Sequence, residues 1–167
     1  MEQADLAAQG WRVVDDTGFL GLVGPLWQRE VGDRIELAIE TGEKHRNRSG
    51  VVQGGAICTL ADRAIGTAAR LSTGSSRVVT LKLDTTFLAR AEIGALLVAR
   101  PTIHTRTRSL VIGEADIYSG ERLSAKIAAI FKVVEGKSPS GTGWNVAPGG
   151  PSRDGASHDM SSRRTGT

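Results

Sequence analysis

The densest run of chemically capable residues in the chain is His45-Arg46-Asn47-Arg48-Ser49-Gly50-Val51-Val52-Gln53-Gly54-Gly55, followed by Thr59-Leu60-Ala61-Asp62. It reads as a polar loop running into a Gly-Gly helix start, with an acid two turns in. The first backbone N–H groups of a helix lack intrahelical acceptors and lie at its positive end. Glycine there lets a ligand carbonyl approach the backbone closely. Such a segment can form an oxyanion hole, where one donor lowers a barrier by about 3 kcal/mol. A carboxylate at Asp62 adds a general base or a nucleophile. A Gly-Gly pair before a helix is, on its own, mostly a structural feature.

Other reactive residue types carry less. His45 lies in the loop, His104 on an expected strand and His158 near the C-terminus, none with metal-ligand partners at suitable spacing. Cys58, the single cysteine, has no histidine spaced to activate it and reads as an inert thiol. There is no phosphate-binding Walker loop, no Gly-x-Ser-x-Gly elbow and no dinucleotide fingerprint.

The elements that must position these residues follow from apolar periodicity. Ile57, Leu60, Ala61, Ala64, Ile65 and Ala68 form one continuous helical stripe after Gly54-Gly55. Asp62 falls off that stripe, on a face shared with Gly55, Cys58, Gly66 and Ala69. Helical geometry alone favours close packing as the use of so small a face. The pattern then changes to period 2. Val79, Leu81, Leu83 and Phe87 alternate with Thr80, Lys82, Asp84 and Thr86. Leu97, Ala99 and Ile103 define a second strand, Val111 to Ile117 a third and Leu123 to Val133 a fourth. Turn residues at 91–94, 105–109 and 119–121 separate them. One long helix followed by hairpin-connected strands predicts an α+β fold, an antiparallel sheet packed on a single main helix. Upstream, Asp5 to Val14 reads as a short amphipathic helix with Leu6, Trp11 and Val14 as its contacts. Gly18 to Trp27 and Arg34 to Glu40 read as two arms of a hairpin, the second half-buried with Ile35, Leu37 and Ile39 inward.

The chain has 167 residues and a net charge of +3, enough for one compact domain. Residues 136–167 carry Lys137, Arg153, Arg163 and Arg164 against Asp154 and Asp159, so two of the three net charges sit there. Their Gly, Pro and Ser content predicts a disordered tail, with Trp144 solvated. The near-neutral remainder lacks a basic cluster with interleaved aromatics, which argues against a nucleic-acid partner. No apolar run approaches the ~20 residues of a membrane span, and the N-terminus lacks signal-peptide character. A single cysteine gives no sign of an oxidising compartment. The expectation is a cytoplasmic protein without a membrane or nucleic-acid partner.

The segment 45–62 resembles the His-x-Asn-x-x-Gly-x-x-His-Gly-Gly…Leu-x-Asp pattern of the PaaI-type (phenylacetate-degradation) acyl-CoA thioesterases of the hotdog superfamily. The likeness continues through Val79-Thr80-Leu81, Phe87-Leu88-Ala89-Arg90-Ala91 with Gly94, and the strands to Val134. Upstream it takes in Gly24-Pro25-Leu26-Trp27. It spans roughly residues 15–135, which implies a hotdog domain there, an N-terminal extension over 1–14 and a tail over 136–167.

The resemblance implies roles residue by residue. Asp62 falls on the catalytic carboxylate, acting as base on water or as nucleophile on the thioester carbon. Gly54 falls on the glycine whose N–H polarises the thioester carbonyl, with Gly55 beside it. Asn47 falls on an asparagine that places the reacting groups, and Thr80 on a hydroxyl that orients the water or the acid. Arg108 holds a basic hairpin position able to meet the CoA phosphates. The family divides the site between subunits, so the resemblance implies a homodimer or dimer of dimers, with an inactive monomer. It implies no metal or redox cofactor, CoA arriving as part of the substrate. One position departs from the pattern: Gln53 stands where the family has histidine. Glutamine hydrogen-bonds but carries no proton near neutral pH. The expected activity is acyl-CoA hydrolysis. A rival, motivated by Gln53, is an acyl-CoA binding or sensing module with little turnover. A hotdog dehydratase ranks last, because no histidine occupies the matching place.

Overall fold

The computed structural model describes residues 3–75 and 77–134. The tail over 136–167, including Trp144, lies outside the described residues. The elements in chain order are α1 (Gln3–Ala8), β1 (Arg12–Val14), α2 (Gly18–Val23), β2 (Leu26–Val31), β3 (Arg34–Glu40), a single 3-10 turn (Glu43–His45), α3 (Gly54–Thr73), β4 (Val78–Phe87), β5 (Leu96–Arg106), β6 (Leu110–Ser119) and β7 (Arg122–Val133). The strands form one sheet in the order β1-β2-β3-β5-β6-β7-β4, and every neighbouring pair is antiparallel. Among the described residues, no helix is long and apolar enough to cross a membrane.

α3 lies where its apolar stripe predicts. Ile57, Leu60, Ala61, Ala64 and Ile65 are buried in one cluster with Leu97 and Ala99 of β5, Val111, Ala115 and Ile117 of β6, and Ala125, Ile127, Ala129 and Phe131 of β7. Gly74, in the left-handed conformation at φ 67°, ends the helix. One long helix on one face of an antiparallel sheet is the α+β arrangement that the periodicity predicts and the hotdog fold that the family resemblance implies.

Helix and sheet approach closely at Gly113. A Cβ there would stand 2.8 Å from the Thr102 carbonyl oxygen, 2.9 Å from Ile103 Cδ1 and 3.3 Å from Ile65 Cγ2. Neither the β5 backbone nor α3 can yield without opening the core. Gly113→Ala is therefore expected to destabilise the chain by about 1–3 kcal/mol, the usual cost of overpacking, seen as a lower urea midpoint at unchanged slope.

Three upstream expectations are corrected. The first helix ends at Ala8, and Trp11 and Val14 leave it: Val14 joins β1 opposite Leu26. Gly18 to Val23 is helical rather than a hairpin arm, and β2 starts only at Leu26. The turn is tight enough that a Cβ on Gly21 would lie 2.8 Å from the Asp16 carbonyl, and Pro25 prevents the helix from continuing. On β3, Ile35, Leu37 and Ile39 face the core as expected, but Glu36 and Ala38 are buried as well. Leu6 and Trp11 fold back over this outer face and form a second apolar cluster with Trp27, Ala38 and Val98.

β4 brings the correction that matters most for chemistry. Val79, Leu81, Leu83 and Phe87 do not share a face. Thr80 pairs with Phe131 and Lys82 with Ile130, so Leu81 is the extra residue of a β-bulge. Paired residues point to the same side of a sheet, and Phe131 points to α3. Thr80, Leu83, Thr85 and Phe87 accordingly face the helix, while Val79 and Lys82 face away.

Candidate active site

The loop before α3 is built as a closed unit. His45 is buried; its Nδ1 accepts the Gly42 N–H at 2.9 Å, so its Nε2 carries the hydrogen and donates to the Val23 carbonyl at 2.7 Å. Its own carbonyl accepts the Gln53 N–H at 2.7 Å. His45 thus ties α2 to both ends of the loop, a positioning role that uses both ring nitrogens. Arg46 bonds the Glu43 carboxylate and the Gly50 carbonyl, and the guanidinium holds the Glu43 carboxyl below its ordinary range. Asn47 Oδ1 accepts the N–H groups of Ser49 (2.8 Å) and Val51 (3.2 Å), which commits the oxygen to the turn and leaves the amide nitrogen as its donor.

This loop and the start of α3 border a groove of about 540 Å³ lined by Asn47, Gln53, Gly54, Phe87, Leu88, Ala91 and their neighbours. Gly54 is the first residue of α3. A Cβ on it would lie 2.9 Å from Phe87 Cζ, so the ring closes over the bare glycine backbone. Gln53, with φ −63° and ψ 132°, is the N-cap, and its Oε1 accepts the Gly54 N–H at 2.9 Å. Gly55 is exposed beside it, and a Cβ there would meet only Gln53 Cγ, at 3.9 Å.

The carboxylate lies elsewhere. Asp62 is half-buried on α3, and Thr80 donates its hydroxyl to Asp62 Oδ1 at 2.7 Å. The bulge at Leu81 is what turns Thr80 toward the helix. One turn earlier, Cys58 Sγ lies 3.4 Å from Thr85 Oγ1, a contact that occupies the thiol with a neighbouring hydroxyl.

The structure therefore sorts the expected residues into two groups. Asn47, Gln53, Gly54 and Gly55 stand together at the helix start, and Asp62 and Thr80 stand together farther along. Eight residues of α-helix rise about 12 Å, so one chain cannot hold a single reacting carbon against both Gly54 N–H and Asp62. Arg108 belongs to neither group. It lines a separate depression of about 320 Å³ with Arg106, Thr107, Thr73 and Val133, at the far end of α3. Two residues outside the expected set shape the site: Phe87 as the wall over Gly54, and His45 as the anchor of the loop. Phe87 was legible only as a strand apolar residue, since its reach to Gly54 depends on where β4 ends. Among the described residues, no group of three or more His, Cys, Asp or Glu is arranged to hold a metal ion.

Comparison with known proteins places this geometry. The sequence pattern of the thioesterase superfamily matches residues 49–126. A Pseudomonas aeruginosa protein, PA0474, named a candidate esterase, is 32% identical over 114 residues, covering 67% of this chain and 85% of its own. Among solved structures, the conserved Pseudomonas aeruginosa protein PA5202 superposes with a TM-score of 0.65 at 26% identity, over 71% of this chain and 95% of its own. BH2602 from Bacillus halodurans, solved with CoA, superposes at 0.61 and 23% identity, over 66% of this chain and 74% of its own. The superfamily pattern begins in the loop that His45 anchors and runs through α3 into the last strand, over the same region that carries both groups of polar residues: the chain belongs to the thioesterase superfamily.

Proposed function

We propose that the chain hydrolyses acyl-CoA thioesters to a free acid and CoA, in a site completed by two copies of the chain. The observation that carries this reading is the separation of the Gly54 N–H from the Asp62–Thr80 pair along one helix. Each chain holds half of a site, and a two-fold pairing that sets Gly54 of one copy against Asp62 of the other makes two whole sites. β4 supports such a pairing. It is the sheet's edge, ten residues long, with Val79, Leu81, Phe87 and the following Leu88 about half exposed. An apolar, unpaired edge of that length invites a second chain.

In this site the thioester carbonyl points at the Gly54 N–H, which stabilises the negative charge that develops on its oxygen. Asp62, oriented by Thr80, removes a proton from water as the water oxygen attacks the acyl carbon; alternatively the carboxylate attacks first and water resolves the acyl-enzyme. The C–S bond then breaks and CoA leaves as the thiol after taking up a proton. No metal or redox cofactor is required. The same two-fold pairing centres on Cys58, so the far end of the second copy's α3 extends about 16 Å beyond the first copy's Gly54. We assign Arg108 of that second copy, with Arg106, to the CoA phosphates, at a distance the extended pantetheine arm can span. The CoA bound to the Bacillus halodurans neighbour supports the ligand class.

Subunit complementation tests the shared site. Gly54→Pro removes the N–H at a first helical position, where proline is tolerated, and Gln53 already has the extended conformation that precedes proline; the half-exposed Phe87 ring must turn aside. Asp62→Asn removes the base. Each variant alone is expected to be inactive, and an equal co-refolded mixture to regain about a quarter of wild-type activity, because half the dimers then carry one intact site. A mixture as inactive as its parents, with dimers present, would show that both groups act within one chain or not at all.

A further inference from the structure

The Gly54 N–H is already taken. Gln53 Oε1 accepts it at 2.9 Å, although Gln53 itself is exposed and this is the only contact its side chain makes among the described hydrogen bonds. The groove opens on the same N–H, between Asn47 and the Phe87 ring. We propose that Gln53 is a removable cap on the carbonyl-polarising donor: its side-chain oxygen occupies the Gly54 N–H in the unliganded chain, and an incoming thioester carbonyl must displace it. The inference rests on Gly54 as the carbonyl-polarising group.

The chemistry favours exchange over permanent closure. A neutral amide oxygen held by one hydrogen bond at an exposed position is a weak competitor, since such a bond contributes little net of solvent. The side chain has three rotatable bonds and, among the described residues, no second hydrogen bond. A carboxylate in the same place would hold the N–H more tightly, because a charged acceptor forms the stronger bond and also gains from the positive end of α3. It would in addition repel the charge that develops on the substrate oxygen. The neutral amide caps the helix while it is empty and yields when a carbonyl arrives. Gln53 is thus a positioning residue that sets how much of the substrate's binding is used to clear the donor.

Two variants and two ligands separate this from a plain helix cap. The ligands are hexanoyl-CoA analogues. In the ketone a methylene replaces the thioester sulfur and the carbonyl is kept; the thioether lacks the carbonyl. Gln53→Ala is expected to bind the ketone about three- to tenfold more tightly than the wild type, the range of one modest hydrogen bond. Thioether affinity should be unchanged. Gln53→Glu is expected to bind the ketone at least tenfold more weakly. Gly54 amide hydrogen exchange, read by NMR on the unliganded chain, should accelerate in Gln53→Ala and slow in Gln53→Glu. Equal ketone affinity in wild type and Gln53→Ala, or an unchanged Gly54 exchange rate, overturns the cap. A wild type that neither hydrolyses thioesters nor binds the ketone overturns the reading of the site itself, while altered Gly54 exchange would still report the cap in the unliganded chain.

Discussion

Asp62→Asn is expected to leave the chain folded and to lower kcat for acyl-CoA hydrolysis by about a thousandfold, within the 10²–10⁴ range of a positioned base. The substitution keeps the size of the side chain and an oxygen able to accept from Thr80, whose hydroxyl lies 2.7 Å from Oδ1. What it removes is the negative charge and the basic lone pair. In the proposed site Asp62 acts on the attacking water and is assigned no contact that holds the acyl or CoA group, so substrate affinity should change little and the loss should fall on kcat. Thr80→Val removes the orienting hydroxyl while the acid stays, and its effect should be smaller, about tenfold. The competing explanation of Asp62, an acid on a small-residue face that serves close packing, predicts the reverse: a shift in unfolding midpoint with the rate intact. Thiol release across an acyl-CoA panel, with the unfolding midpoint measured on the same samples, decides between them. A rate within tenfold of wild type would remove Asp62 from the reaction.

The parts of this fold that follow from periodicity are those where a single face decides a residue's fate. The α3 stripe from Ile57 to Ile65, the alternation of β6 and that of β7 from Ala125 on each face one core, and the structure buries them there, whereas Val98 of β5 is covered on the outer face as well and a register shift beside Ser124 turns Leu123 away from the expected face. The misread parts answer to two surroundings. On β3 the alternation of Ile35, Leu37 and Ile39 is real, yet Glu36 and Ala38 are also covered, because Leu6 and Trp11 return from the N-terminus. No local pattern in 34–40 can announce a lid supplied from some thirty residues away. On β4 the apparent alternation is broken by one extra residue, Leu81. Read in two phases, Val78 and Thr80 before the bulge and Leu83, Thr85 and Phe87 after it, the inner face carries hydroxyls where Asp62 and Cys58 lie opposite.

The candidate site was legible to the same degree. Residue types and the spacing of Gly54 and Asp62 indicate the chemistry, and the family resemblance assigns the roles. The 12 Å between the two groups also follows from helical rise alone. Which side chain meets which donor does not. Gln53 is visible in the sequence as a departure from a histidine pattern, but its bond to the Gly54 N–H depends on the backbone at one residue, φ −63° and ψ 132°. His45 likewise matches a motif position, while its anchoring of Val23 and Gly42 depends on a helix that the sequence pattern had assigned to a strand.

Glu36→Ala is expected to cost about 3 kcal/mol of folding stability, the lower end of what breaking a buried ion pair costs, and to leave the hydrolytic rate of the folded protein unchanged. Glu36 is 8% exposed on the outer face of β3. Its Oε2 accepts from Arg29 at Nε (2.8 Å) and Nη2 (2.6 Å), and its Oε1 lies 2.9 Å from Arg100 Nε. Trp11 covers the Arg29 guanidinium and Tyr118 that of Arg100, each at 4.4 Å from the ring centroid. Removing the carboxylate leaves Arg29 held under Trp11 without its counter-charge, where water reaches it poorly. Arg100 is half exposed, so its share is screened, and Arg100→Ala should cost no more than about 1 kcal/mol. Against a typical total of 5–15 kcal/mol, the Glu36 loss is large enough to read directly from urea unfolding. Leu37, next in sequence, faces α3 from the opposite side of the sheet, so the outer-face triad and the groups proposed for hydrolysis lie on opposite faces. If Glu36→Ala lowers kcat at temperatures where it remains folded, the two faces are coupled through β3, and the loop that follows β3 into His45 is where that coupling would act.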